Sequence, residues 1–356
     1  MFFELVMELT KENICEYLLH LGFDKCEILS IRNVRNFCAK VSTNKGNILV
    51  KQKGSNRSTF ADVSMYNELL FYKLITKGVL FTDNQSITPK VLNIDEEFEI
   101  VTIDFLDDYK NLSIEDNTEN YQLSYELGKQ VASIHNVSTE LCNGFTIAKT
   151  ENYFRTFDIV TPEMFNAGGP LFAKCVELMQ RYPDLNEGIE SFRKEFCWDC
   201  LIHGDLKPDN ILFKITNEKQ YVKFIDWELT GLGDRYLDLG YVVGGYLLWW
   251  IENMKFGNDL DVNNERMAIV REHIYYFIMG YQNTLADKFK LDYIKLSHFT
   301  SIFLLNIFHS KSFFKSQYSK QDIMILETAR KMLINSEIVY RELFMKLIMQ
   351  SYEKLF

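Results

Sequence analysis

Two carboxylates and an amide are the side chains of this sequence whose types and spacing best suit chemistry. Asp205 and Asn210 lie on a short polar stretch between two apolar runs, and apolar runs of this length predict buried strands. A further predicted strand, residues 221–225, follows a polar turn and ends on Asp226, so a hairpin would bring Asp226 back beside Asn210. The pattern predicts that the three side chains converge.

Such a convergence suits the transfer of a phosphoryl group from a nucleotide. A carboxylate, here Asp205, would align an attacking hydroxyl and accept its proton. An amide oxygen and a second carboxylate, here Asn210 and Asp226, would hold Mg²⁺ on the phosphates. We therefore expect one catalytic group and two metal ligands in this stretch.

The order of these residues resembles the catalytic segment of the protein-kinase-like superfamily. Asp205 and Asn210 have the spacing D-x-x-x-x-N, and a strand that ends on an aspartate follows them. HGD at 203–205 stands where a protein kinase has His-Arg-Asp, and DWE at 226–228 stands in place of Asp-Phe-Gly. With these features the chain resembles the aminoglycoside phosphotransferase and choline kinase family.

The resemblance implies an α+β, bilobal protein-kinase-like fold. A small N-lobe, residues 1–104, would combine an antiparallel sheet with a helix and bind the nucleotide. A large, mainly helical C-lobe, residues 105–356, would hold the catalytic loop, the metal site and the acceptor site. The length of 356 residues and the hydrophobic content of 47% are ample for two lobes around a cleft.

Elements of the small lobe would position a lysine against the phosphates. Lys51, in the third predicted strand, resembles the strand lysine that binds the α- and β-phosphates. The helix that follows offers Glu68 as its anionic partner. The turn at residues 32–36, which would cover the phosphates, has no glycine and so departs from a G-x-G-x-x-G loop. Asn36, Arg35 or backbone N–H groups are the candidate phosphate contacts there.

The last strand of the small lobe would reach the base of the nucleotide. The apolar run over residues 99–105 predicts this strand. By the same resemblance, the backbone of Thr102 and Ile103, together with Asp104, would lie at the hinge between the lobes. These residues are therefore the predicted contacts of the adenine edge.

Other residues are expected to support the catalytic stretch. Lys207 stands where protein kinases that act on Ser or Thr have a γ-phosphate lysine, and it would neutralise developing charge. His203 is expected to brace the loop by hydrogen bonds. Asp238, in an element that resembles the family's G-D-P-x-x-D-L-A, would accept hydrogen bonds from the loop backbone. His135 is expected to be a buried core histidine.

Composition limits the partners and the compartment. The net charge of −10 argues against nucleic-acid binding through phosphate contacts. The seven cysteines are scattered and odd in number, which predicts free thiols in a reducing compartment. No signal peptide is evident, and the apolar run 240–251 is too short to span a bilayer. We therefore expect a soluble cytoplasmic protein with no nucleic-acid or membrane partner.

The resemblance implies an enzyme, a phosphotransferase with an alcohol group as acceptor, that uses ATP or GTP and Mg²⁺. The expected acceptor is a hydroxyl of a small molecule such as an aminoglycoside, an amino alcohol or a sugar. One alternative is a Ser or Thr hydroxyl of a ribosomally made precursor peptide, which Lys207 and the glycine-free turn favour mildly. Another is a nucleotide-binding pseudokinase that acts as a partner protein, and the intact set of catalytic residues argues against it.

Overall fold

The computed structural model of the chain has an antiparallel sheet near the N-terminus and a mainly helical remainder. The described residues are 7–33, 36–54, 59–81, 87–145, 162–217, 219–257, 260–286, 289–337, 339, 341 and 343–344. This order of elements confirms the predicted α+β composition. Val34 and Arg35, from the turn predicted to cover the phosphates, lie outside the described residues.

Antiparallel strands form the N-terminal sheet. They are β1 (Glu27–Asn33), β2 (Phe37–Thr43), β3 (Gly46–Gln52), β4 (Val91–Asp95) and β5 (Ile100–Asp104). Their spatial order is β1-β2-β3-β5-β4. Side chains along β2 and β3 alternate between buried and partly exposed, because successive residues of a strand point to opposite faces of the sheet.

Different helices cover the two faces of this sheet. Helix α1 (Ile14–His20) packs on the face that carries Val50 and Ile100. Helix α2 (Thr59–Thr76) belongs to the core that contains Val101, on the other face. Lys51 pairs with Val101 across the β3–β5 ladder, and residues directly opposite in a ladder share a face. The sheet therefore presents Lys51 to α2.

Helix α1 is also joined covalently to the sheet. Cys15 in α1 forms a disulfide with Cys26, which directly precedes β1. The prediction that all the cysteines are free thiols is therefore wrong for this pair. Packing of α1 against the sheet brings together two residues that are 11 apart in sequence, and spacing alone does not reveal such a contact. The free cysteines are Cys38, Cys142, Cys175, Cys197 and Cys200.

Helices and short strands make up the rest of the chain. The helices are α3 (Tyr121–His135), α4 (Pro162–Ala167), α5 (Phe172–Gln180), α6 (Pro183–Arg193), α7 (Arg235–Glu252), α8 (Leu260–Thr284), α9 (Tyr293–Phe314) and α10 (Lys320–Ile334). The strands are β6 (Lys110–Asn111), β7 (Cys200–Ile202), β8 (Ile211–Thr216), β9 (Lys219–Phe224) and β10 (Gly231–Gly233). None of the helices within the described ranges has the length and apolar character needed to cross a membrane.

Glycines let α3 and α8 approach until their backbones touch. A Cβ on Gly128 of α3 would overlap the carbonyl oxygen of Phe277, and a Cβ on Gly280 of α8 would overlap that of Tyr125. Because α3 ends at His135, this close contact also fixes the position of His135 relative to α8. Larger side chains at either glycine would force the two helices apart.

We expect Gly280→Ala to lower the free energy of unfolding by about 2 kcal/mol or more, since overpacking against a backbone exceeds the gain in helix propensity. Gly188→Ala in α6 is the matched control. It has the same propensity gain, but its Cβ would meet only the flexible end of the Leu333 side chain. Urea denaturation of both variants measures the difference, and equal stabilities would contradict the close-contact explanation.

Candidate active site

A hairpin brings the predicted catalytic and metal residues together. Strands β8 and β9 pair antiparallel, with Ile211 opposite Phe224. The N–H of Ile225 donates to the carbonyl oxygen of Asn210 at 3.1 Å, so Asp226 follows directly beside Asn210. The predicted hairpin is confirmed.

Asn210 is held against the carboxylate of Asp205. Its side-chain Nδ2 donates to Oδ2 of Asp205 at 3.0 Å and to the carbonyl oxygen of Asp205 at 2.8 Å. Both bonds use the amide nitrogen, so the amide oxygen of Asn210 stays directed elsewhere and can serve as a hard ligand for a cation.

Lys51 joins the sheet to this site by ion pairs. Its Nζ lies 2.6 Å from Oδ1 of Asp226 and 2.8 Å from Oε1 of Glu68 in α2. The structure therefore forms the predicted Lys51–Glu68 pair and adds Asp226 as a second partner. Burial by itself would lower the pKa of Lys51, but the two carboxylates raise that pKa well above its usual range. Lys51 is therefore charged at neutral pH.

The two aspartates of the site differ in their ionisation. Burial raises the pKa of Asp205 above its usual value, although the charge of Lys207 opposes this rise. Burial also disfavours the charged form of Asp226, but there Lys51 more than offsets the effect and lowers the pKa. Asp226 is thus suited to bind a cation as a carboxylate, whereas Asp205 is a somewhat stronger base than a free aspartate.

Lys207 contacts the carboxylate of Asp205. Its Nζ lies 2.5 Å from Oδ2 of Asp205, and its side chain is partly exposed. Oδ2 therefore accepts from both Lys207 and Asn210, which fixes the orientation of the carboxylate. A group that reacts at Asp205 would therefore lie beside the positive charge of Lys207.

The backbone of the catalytic segment is supported from α7. Asp238, which is fully buried in the first turn of α7, accepts hydrogen bonds from the N–H groups of His203 at 2.7 Å and Gly204 at 2.9 Å. This confirms the predicted contact of Asp238 with the loop. His135 is buried, as expected, but its Nε2 also lies 3.2 Å from Asp238 Oδ2, and its Nδ1 bonds the hydroxyl of Tyr281.

Gly204 occupies a position that only glycine accommodates. Its φ is +84°, and a Cβ there would overlap the carbonyl oxygen of Leu229. A side chain at this position would be strained and would also displace the segment after Asp226. The same segment packs below His203, whose Nε2 bonds the carbonyl oxygen of Ile225 at 3.0 Å. The prediction that His203 braces the loop is confirmed.

The predicted contacts with the base need correction. Thr102 lies in the middle of β5, between Val50 of β3 and Asn93 of β4, so its backbone faces a neighbouring strand on both sides. Thr102 and Ile103 therefore offer no open backbone edge to adenine. Their side chains point to opposite faces, and only that of Ile103 shares the face of Lys51. The chain leaves the sheet only after Phe105, whose N–H still donates to the carbonyl oxygen of Asn47 in β3 at 2.9 Å.

Asn36 lies at the start of β2, but it contacts the protein backbone. Its Oδ1 accepts from the N–H of Gly54 at 3.3 Å, which joins the turn before β2 to the end of β3. A phosphate contact from Asn36 stays a prediction, as do the individual roles of the other site residues.

Solved structures with the same architecture define the fold as bilobal and protein-kinase-like. An ethanolamine kinase of Plasmodium vivax is 17% identical, with 90% of this chain and 89% of that chain covered, at a TM-score of 0.52. A spectinomycin phosphotransferase solved with ADP and spectinomycin is 12% identical, with coverage of 93% and 99%, at 0.54. A putative aminoglycoside phosphotransferase from Ralstonia eutropha is 15% identical, with coverage of 92% and 97%, at 0.52.

The sequence also matches a family model over nearly half of its length. Residues 88–263, which contain Asp205, Asn210, Asp226 and the whole of α7, match the model of the phosphotransferase enzyme family. This confirms the predicted resemblance and the prediction of a phosphotransferase that acts on an alcohol group. No protein with a curated description matches the chain by sequence.

We expect Asp238→Asn to lower the free energy of unfolding by about 3 kcal/mol, because it weakens charge-assisted hydrogen bonds to two buried backbone N–H groups. Asp261→Asn is the matched control: Asp261 is also in the first turn of a helix, α8, but is exposed. Asp261→Asn should lower the free energy of unfolding by no more than about 0.5 kcal/mol. Chemical denaturation of both variants measures their free energies of unfolding. Similar decreases in the two variants would refute the supporting role of Asp238.

Proposed function

We propose that this protein is a kinase that transfers the γ-phosphoryl group of ATP, in the presence of Mg²⁺, to a hydroxyl of a small molecule. One observation carries the proposal. Lys51 from the sheet contacts Asp226, and Asn210 beside Asp226 contacts Asp205, so a phosphate-binding cation, two oxygen ligands and a base form one connected site. Positioning and charge stabilisation by such groups are what phosphoryl transfer needs from a protein.

The oxygen donors of the site fit Mg²⁺. Asp226 supplies a carboxylate with a lowered pKa, and Asn210 supplies its amide oxygen, since its nitrogen is engaged by Asp205. One carboxylate and one amide, completed by phosphate oxygens and water, are typical ligands of this ion. Bound there, Mg²⁺ would neutralise charge on the phosphate oxygens.

Lys51 would bind the α- and β-phosphates while Glu68 keeps it in place. Glu68 is fully buried in α2 and contacts Nζ through both carboxylate oxygens, at 2.8 and 3.0 Å. This two-point contact leaves the ammonium group free to donate a third hydrogen bond, which now goes to Asp226 at 2.6 Å. A phosphate oxygen would take that bond in the nucleotide complex.

Asp205 would receive the proton of the acceptor. Its Oδ2 is engaged by Lys207 and Asn210, which leaves Oδ1 to accept a hydrogen bond from the acceptor hydroxyl. As the acceptor oxygen forms its bond to the γ-phosphorus, the bond from that phosphorus to the bridging oxygen breaks. The electron pair stays on the departing nucleoside diphosphate, and the proton passes to Asp205. Lys207 lies close enough to stabilise the charge that develops.

The base would bind where β5 leaves the sheet, and we place the division of the lobes at the same point, after residue 104. Phe105 still donates its N–H to the carbonyl oxygen of Asn47 in β3 at 2.9 Å, but residues 106–108 belong to no strand, so this short segment is the proposed site of backbone hydrogen bonds to adenine. A backbone site of this kind recognises a base by its edge. Use of GTP instead of ATP is the alternative.

The acceptor would bind along α7, next to the catalytic loop. A Cβ on Gly245 would lie 2.6 Å from Cγ of Pro208, so α7 passes directly under the loop there. Residues four and seven positions further along a helix share its face, and at these positions α7 carries Trp249 and Glu252. An indole ring and a carboxylate suit an amino alcohol or another amine-bearing acceptor, whose ammonium group would have to share Glu252 with Lys311, now 2.7 Å away.

The names of the similar structures support a small acceptor. They include an ethanolamine kinase, a spectinomycin phosphotransferase and an aminopropanol kinase. None of these names indicates a peptide acceptor, and the intact Lys51, Asp205, Asn210 and Asp226 argue against a protein without catalytic activity.

Asp205→Asn should reduce turnover roughly 10³-fold while the affinity for Mg²⁺ and nucleotide is kept, because the amide cannot accept the proton. Asp226→Ala should instead abolish the Mg²⁺-dependent part of nucleotide binding, since it removes a metal ligand. Phosphate transfer to a panel of amino alcohols, aminoglycosides and sugars, with calorimetry of ADP binding, measures both. Full activity in Asp205→Asn would disprove the assigned role.

Lys207→Met should move the acid limb of the activity profile to higher pH. Activity falls as pH drops through the pKa of Asp205, and Lys207 holds that pKa down, so loss of the lysine raises the pKa and the limb follows. Lys174→Met, which removes the same charge from an exposed pair with Glu177 in α5, should leave the limb in place. An unmoved limb in Lys207→Met would show that Asp205 is not the titrating base.

A further inference from the structure

Helix α2 contacts the segment that follows Asp226 at two points. Nδ2 of Asn67 donates to the carbonyl oxygen of Thr230 at 3.0 Å. One turn along the helix, the ring of Phe71 stacks on that of Trp227 with 3.7 Å between centroids. All four residues are buried. Neither contact has a direct role in the phosphoryl transfer proposed for this site.

The other side of this segment, residues 227–230, rests on the catalytic loop. Oγ1 of Thr230 donates to the carbonyl oxygen of Ile202 at 2.8 Å, and Ile202 directly precedes the loop. The carbonyl oxygen of Leu229 lies where a Cβ on Gly204 would be. A shift of the segment would therefore move Asp226, at its start, and would release the loop that carries Asp205.

Neighbouring residues of α2 divide two tasks between them. Glu68 holds Lys51 on one side, and Asn67, rotated by about 100° around the helix axis, holds Thr230 on the other. An amide suits the second task because it donates to a buried carbonyl oxygen without bringing a charge. Among the described residues, one turn of helix thus links the phosphate-binding lysine to both catalytic carboxylates.

We propose that Asn67 is a positioning residue for phosphoryl transfer, acting through the carbonyl group of Thr230 on the metal ligand Asp226 and the base Asp205. The inference rests on the proposed function, because it takes the roles of these two carboxylates from it. Asn67 lies within α2, and its argued effect on the two carboxylates passes through its bond to the carbonyl oxygen of Thr230.

The test is Asn67→Leu, which keeps the approximate shape and removes the donor. We expect roughly a tenfold fall in kcat, the size that a lost coupling contact usually produces. The Mg²⁺ concentration for half-maximal ADP binding should rise by a similar factor, because Asp226 is no longer held in place. The affinity for ADP in EDTA should change less than about twofold, because the contact between Lys51 and the phosphates is kept.

Gln52→Leu is the matched control. Gln52 is also a buried amide, but it lies in β3 and bonds Leu9, Met7 and Phe98 on the face away from α2. Its loss should lower the melting temperature without a change in the Mg²⁺ response. If Asn67→Leu and Gln52→Leu give the same kcat and the same Mg²⁺ response at equal folded fraction, the proposal is wrong.

Two further variants make the result decisive. Thr230→Val removes the hydroxyl that reaches Ile202, and combined with Asn67→Leu it should add less than its separate effect, since both act through one segment. Should Asn67→Leu not fold, Asn67→Ser replaces it, because a serine hydroxyl is too short to reach Thr230; an unchanged Mg²⁺ response would then overturn the proposal. A wild-type protein that binds no ADP with Mg²⁺ would instead contradict the proposed function.

Discussion

The structure depends on one buried cation, the ammonium group of Lys51, held between two carboxylates. Glu68 comes from α2 and Asp226 from the end of the β8–β9 hairpin, while Lys51 comes from the sheet. Each of these charges alone would be costly to bury, and two neighbouring carboxylates would repel each other. The lysine therefore holds three separate parts of the fold at fixed distances from one another.

The catalytic loop follows the same principle with a buried anion. Asp238 binds two backbone N–H groups of the loop, and His135 and Tyr281 support it from α3 and α8. Burial by itself would raise the pKa of Asp238, but the hydrogen bond and charge of His135 keep that pKa below its usual value. The loop shape therefore depends on charge-assisted hydrogen bonds and on the closely packed helices below, not on local backbone propensity.

Between these two centres lies the short segment that follows Asp226. It contacts α2 on one side and the stretch that leads to Asp205 on the other, so the positions of Asp226 and Asp205 are not independent of each other. Asp226 itself has a φ of +67°, a left-handed backbone conformation that aspartate tolerates better than most residues. Such a conformation persists where the surroundings fix it from several directions, as they do here.

Local sequence determined the catalytic hairpin, the residue types in the site and the lysine strand, because each depends on neighbours only a few residues away. Strand alternation, turn residues and the spacing from Asp205 to Asn210 carry that information. Tertiary structure decided what the chain alone left open: the Cys15–Cys26 disulfide, the enclosed position of Thr102 within the sheet, and the contacts of Asn67. These features depend on which distant segments pack together. The sequence alone does not distinguish a buried amide or histidine that fills a core from one that positions a catalytic group.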